Sequence, residues 1–236
     1  ALKQFVNNFT TAVNPQITKS YAQGDLDYMH KLICRSAKFS AFLMLFFAVP
    51  IVLETQTILT IWLKTVPDYA VVFLQWITIS SFVEPVLSNA LVTSMLATGN
   101  IKRYQIVVTI VGCLVFPISW IAFAMGMEPQ VGYFIYFVVY SILLFVRLYL
   151  LRDMVKLPIM LYVREVLFKL LPVAIISFAI PSLFLLVMES GWIRLIVICI
   201  VSLLVTSSTE YFVGFSNNEQ KFIKGKISVV LRKNYR

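Results

Sequence analysis

The chain has 236 residues, 60% of them hydrophobic and 13% charged, with a mean hydropathy of +0.87 and a formal net charge of +9. Soluble domains carry about 25% charged residues, so these figures exclude a soluble globular domain, a disordered chain and a coiled coil, and they point to a polytopic membrane protein. A basic excess would suggest nucleic acid in a soluble protein; here its distribution along the chain decides.

Residues 1–14 read as the tail of an earlier helix that ends near Asn14-Pro15. The first residue is Ala1, and no charged stretch followed by an apolar core marks a signal peptide, so the expectation is a piece of a longer protein. About 20 apolar residues cross the hydrocarbon core as a helix. That ruler predicts six spans: Ser36–Leu59, Tyr69–Met95, Tyr104–Met125, Val131–Leu151, Val166–Met188 and Trp192–Phe212. The apolar runs are continuous and lack the period-two alternation of barrel strands, so the fold class is all-α, a polytopic transmembrane helix bundle. Asp25–Lys38 reads as a short amphipathic helix leading into the first span. Leu151–Glu165, broken by Pro158, reads as an interfacial segment along the cytoplasmic surface. The expected organisation is a core over 1–151, that interfacial segment over 152–165, two peripheral spans over 166–213 and a basic cytoplasmic tail over 214–236. The tail from Lys221 to Arg236 fits either an anionic lipid surface or water.

The connections alternate in charge. From the N-terminal helix onward they carry four, one, two, no, five, one and six Lys or Arg residues, and Lys3 completes the twenty. Seventeen of the twenty fall on alternate connections, which is the positive-inside pattern. The net +9 is therefore a topological signature and no nucleic acid is expected. The basic connections and the C-terminus are expected on the cytoplasmic side of a bacterial inner membrane, with the Glu54–Asp68, Glu128 and Glu189 connections outside.

No catalytic constellation, phosphate-cradling glycine loop or metal-ligand spacing is present. Cys34, Cys113 and Cys199 are far apart and His30 stands alone. No enzyme, cofactor or metal is expected, and the remaining chemistry is polar chemistry inside the membrane. In the second span, 100° steps place Gln75, Thr78, Ser81, Glu84, Ser88, Asn89 and Thr93 in one half of the circle. Trp76, Ile79, Val83, Val86, Leu87 and Ala90 fall opposite and predict a lipid face. Pro85 predicts a kink there. Glu84 lies near mid-span, where an acid costs about 2.5–3.5 kcal/mol on insertion scales. It is either a transport-path residue that couples to an ion gradient or a protonated acid bonded to a neighbouring helix. Lys102, Arg103 and Arg147, near the cytoplasmic ends of their spans, could hold a diphosphate, although snorkelling to the interface is the commoner reason for cations at that level. Pro50, Pro117, Pro172 and Pro181 mark further candidate bends. The run Tyr133, Phe134, Tyr136, Phe137, Tyr140 reads as packing plus an interfacial belt.

Three stretches are more specific: NPQITKSYAQGD over Asn14–Asp25, ILTIWLKTVPDYA over Ile58–Ala70, and MLATGNIKRYQIV over Met95–Val107. This series resembles the polysaccharide-transporter, or O-antigen flippase, branch of the MOP (MATE-like) exporter superfamily. The resemblance implies two pseudo-symmetric lobes around a central cavity. It implies flipping of undecaprenyl-diphosphate-linked oligosaccharides by alternating access, for surface polysaccharide synthesis. This chain would be the C-terminal lobe, the end of one helix plus six spans. Its partners would be the lipid-linked oligosaccharide, membrane lipid, the N-terminal lobe of the same protein and polysaccharide polymerase machinery. The lobe alone would not transport. Three rivals stand beside this reading, one of them a non-transporting membrane scaffold that only an activity assay removes. A cation-coupled multidrug exporter of the MATE branch should carry more acids within its helices. A membrane-embedded polysaccharide-processing enzyme should carry a large outer loop or a concentration of His, Asp and Arg outside.

Overall fold

The computed structural model describes residues 2–63, 65–83, 87–216 and 219–221. Among these the chain is helical throughout, with no strand. In chain order the helices are α1 (Leu2–Ala22), α2 (Leu26–Leu53), α3 (Thr55–Leu63), α4 (Ala70–Ser81), α5 (Leu87–Ala97), α6 (Lys102–Cys113), α7 (Val115–Ala124), α8 (Val131–Val155), α9 (Ile159–Tyr162), α10 (Phe168–Val187) and α11 (Trp192–Thr209). A π-helical turn, Val163–Leu167, joins α9 to α10, and a second, Glu210–Gly214, ends α11.

Among the described residues, five helical stretches are long and apolar enough to cross a membrane: Leu26–Leu53, Lys102–Ala124, Val131–Val155, Ile159–Val187 and Trp192–Gly214. The second predicted span falls instead on two shorter apolar helices, α4 and α5. Glu84, Pro85 and Val86 between them lie outside the described residues, as does the tail beyond Lys221.

The helices run alternately up and down. His30 at the start of α2 bonds the carbonyl of Val155 at the end of α8 (2.9 Å), and Gln75, midway along α4, donates to Val52 O near the end of α2 (3.0 Å). Lys31, Arg35, Lys102, Arg103, Arg152 and Lys156 thus gather at one end of the bundle, called here the basic end. Glu54, Glu128 and Glu189 lie at the other.

α2 is the central helix. It packs on α1, α4, α5, α10 and α11, and Ile33, Ala41, Leu45, Ala48 and Val49 along it are fully buried. By contrast α6 and α7 lie at the periphery, with Phe116 and Trp120 largely exposed. In a bilayer such residues meet acyl chains as apolar as themselves, so exposing them carries no hydrophobic penalty.

The structure also departs from the sequence-based expectations at three other segments. α1 does not stop at Asn14-Pro15 but continues to Ala22. Pro15 removes one backbone bond, and packing on α2 and α5 holds the helix through it. The Asp25–Lys38 segment is no separate surface helix but the first three turns of α2, opened by the Asp25 carboxylate accepting from Tyr28 N (3.0 Å). Leu151–Glu165 does not lie along the surface as one piece. α8 runs on to Val155, Lys156 turns the chain in a left-handed conformation (φ 55°), and Pro158 opens a helix that continues into α10. Leu157 and Tyr162 in this stretch are fully buried.

The proline expectations fall out differently at each site. Pro117 lacks the N–H that would reach Cys113 O, and the chain breaks there into α6 and α7 at Leu114. Pro50, three residues from the end of α2, and Pro172 and Pro181 within α10 leave their helices continuous.

Candidate functional site

The polar residues of α4 and α5 face protein. Thr78, Ser81 and Ser88 are buried, and each hydroxyl donates back to its own backbone: to Leu74 O (2.7 Å), Ile77 O (2.7 Å) and Val83 O (3.0 Å). Such back-bonds satisfy a hydroxyl without needing a ligand. Gln75 reaches α2 at Val52 O, and Asn89 Nδ2 donates to Thr10 Oγ1 of α1 (2.9 Å). Of the candidate path residues, Gln75 and Asn89 are thus tied to neighbouring helices. Glu84 lies outside the described residues.

The opposite face of this segment does not meet lipid as its apolar character predicted. Val83, Leu87 and Ala90 are buried, and Trp76 packs against Phe134 (5.5 Å between ring centroids) and Phe137 (5.9 Å) of α8. The segment is sandwiched between α1 and α2 on one side and α8 on the other. Periodicity identifies a two-faced helix but cannot distinguish lipid from another apolar helix. The aromatic run on α8 packs here too, with Tyr133 5.1 Å from Phe73 and Tyr136 stacked on Tyr140 at 4.2 Å.

The three candidate cations divide. Lys102 and Arg103, in the first turn of α6, are exposed, whereas Arg147 on α8 is only 8% exposed. Its Nε is sealed from solvent and makes no hydrogen bond. The Tyr104 hydroxyl, on a residue 1% exposed, is likewise buried without a partner, and it lies close enough to Arg147 to feel its charge. Tyr104 and Arg103 also line a cavity of about 340 Å³ at the basic end, together with Tyr21, Thr98, Asn100 and Asp153. Unpartnered buried polar groups are rare in folded proteins. The cleft thus carries the exposed Arg103 guanidinium and the Asp153 carboxylate, with the unpartnered Tyr104 hydroxyl in its wall.

Sequence reasoning missed two ion pairs. Glu54, read as a residue of an outer connection, is 1% exposed and takes a forked pair of bonds from Arg194, Nε to Oε1 at 2.6 Å and Nη2 to Oε2 at 3.2 Å. Thr57 Oγ1 also donates to Glu54, and Arg194 Nη1 reaches Met188 O (3.3 Å). Lys38, counted among the topological cations, is 2% exposed and donates to Glu219 Oε2 at 2.6 Å. Burial works to raise the Glu219 carboxyl. The Lys38 ammonium and the Ser216 amide and hydroxyl outweigh it, holding Glu219 below its usual range. The one available signal was Arg194 itself, a cation on a side otherwise nearly free of them.

No protein-family model, no curated protein and no solved structure matches the chain.

Proposed function

We propose that this chain is the C-terminal lobe of a flippase for undecaprenyl-diphosphate-linked oligosaccharides in a bacterial inner membrane. In this reading α4 and α5 together complete a sixth span, and the basic end, with the C-terminus, faces the cytoplasm. An N-terminal lobe of the same protein supplies the facing wall of the cavity. The alternating charge of the connections and the resemblance of the Asn14–Asp25 and Met95–Val107 stretches support it.

The observation that carries the substrate assignment is Arg147. Arg147 is 8% exposed with its Nε sealed and unpaired, and its charge is felt at Tyr104, which lines the cleft that also holds Arg103. A diphosphate arriving from the basic end would meet Arg103 first, and its oxygens could then satisfy the buried donors. Arginine–phosphate bonds are short, charge-assisted and directional. No enzymatic step is needed, because translocation breaks no bond.

The test is a charge-reversal pair, Arg103→Glu and Arg147→Glu, scored separately for transport and for orientation in the membrane. Phosphate binding predicts that each abolishes export of the polysaccharide precursor while the connections keep their sidedness in cysteine-labelling maps. Purely topological residues would give the converse, altered sidedness with export in proportion to correctly oriented protein.

A further inference from the structure

The hairpin of α10 and α11 carries a second polar cluster that the flippase reading does not use. Thr206, Thr209 and Glu210 occupy positions i, i+3 and i+4 of α11 and so share one helix face. α11 packs on α10 and α2, and the facing residue on α10 is Ser177, whose Oγ lies 3.2 Å from Thr209 Oγ1. Ser177 and Thr206 are fully buried and Glu210 is 4% exposed. Thr206 Oγ1 and Glu210 Oε1 are both sealed from solvent without a hydrogen-bond partner. Among the described residues Glu210 forms no ion pair, unlike Glu54, Glu165 and Glu219. The π-helical turn begins at Glu210 and packs on α10, with Gly214 drawn against the Phe42 ring of α2. π-turns within helices recur at functional sites because they reorient side chains and backbone locally.

A buried, unpaired carboxylate is costly. A proton or a cation at the sealed Oε1 would relieve it, since no Lys or Arg of the described residues pairs with Glu210. The donor set is one carboxylate and up to three neutral hydroxyls, all hard oxygens. Such a set matches a small monovalent cation. Divalent cations demand more formal charge and more ligands, and no group of three acidic, histidine or cysteine side chains exists among the described residues.

We propose that Glu210, with Thr206, Thr209 and Ser177, forms a binding site for a sodium-sized monovalent cation between α10 and α11. The site stands independently of the transported substrate. Ser202, one turn further along α11, is also buried with an unpartnered hydroxyl, but it lies two turns from Glu210 and serves as an internal control.

The experiment is thermal unfolding of the purified chain in detergent micelles at fixed pH and ionic strength, with sodium chloride exchanged stepwise for choline chloride. The expected result is a Tm that rises with sodium and saturates, a rise absent in Glu210→Gln and unchanged in Ser202→Ala. Thr206→Val, close to isosteric, should raise the half-saturating sodium concentration about tenfold through loss of one oxygen ligand. Equal Tm in sodium and choline for the unmodified chain would overturn the site and leave Glu210 as a protonated acid. So would a full sodium response in Glu210→Gln. Should Glu210→Gln not fold, an unchanged half-saturating concentration in Thr206→Val overturns it equally.

Discussion

Arg194, at the start of α11, grips the buried carboxylate of Glu54, at the end of α2, through two guanidinium nitrogens. The Lys38–Glu219 pair ties the same two neighbours together toward the basic end. Lys38 and Glu54 are sixteen residues apart on a helix that rises 1.5 Å per residue, so the two clasps stand about 24 Å apart. α11 and the segment that follows it are thereby fastened to α2 at two levels, where apolar packing alone would supply little preference among neighbours.

Breaking the Arg194–Glu54 clasp should leave a charge buried and unpaired. Arg194→Met is expected to destabilise the chain by about 3–5 kcal/mol, and Glu54→Met by a similar amount. The double variant Glu54→Met, Arg194→Met should recover most of the loss, because two apolar side chains carry no desolvation penalty. Thermal unfolding in detergent measures all three. A double variant as unstable as the sum of the singles would show that the pair is not self-contained.

The Lys38–Glu219 clasp should be acid-sensitive. The folded value of Glu219 is held below its unfolded one, so its contribution is fully present above the unfolded carboxyl value of about 4.3 and is lost as pH falls through the lower folded value. Glu219→Gln should remove that part of the acid limb from a plot of Tm against pH while leaving the profile near neutrality flat. An acid limb identical in the two proteins would assign it to other carboxyls.

Gly214 closes α11 against α2 at a distance that admits no side chain. A Cβ there would run into the ring of Phe42, which is 1% exposed and cannot swing away. Gly214→Ala should therefore cost about 1–3 kcal/mol as overpacking. The companion change Phe42→Leu should rescue it in part. Circular dichroism melts of the single and double variants check both statements.

Continuous apolar runs made the long helices legible before any coordinates, because a bilayer demands length and hydropathy more than it demands pattern. The polar interior was less legible. Lys38 and His30 look like surface residues until Glu219 and the Val155 carbonyl are seen to receive them. Glu54 sits at a helix end that reads as a loop, and its partner lies 140 residues away. Long-range pairing of that kind leaves no local periodicity. The inward turn of Val83, Leu87 and Ala90 was hidden for a related reason: α8 and lipid are equally apolar, and hydropathy alone cannot choose between them. At Arg147 the sequence supplied the residue and its level in the membrane, while its burial and its place beside Tyr104 emerged only from the packing of α6 on α8.

The proposed function is the movement of a diphosphate-linked oligosaccharide across a bilayer. It is tested most directly by reconstituting the two-lobed protein in liposomes loaded with an undecaprenyl-diphosphate oligosaccharide and following the sugar's exposure to an impermeant lectin. The account predicts transfer faster than in protein-free liposomes, lost in Arg147→Met and retained in part in Arg147→Lys. Transfer no faster than in protein-free liposomes, or transfer indifferent to Arg147→Met, would contradict it.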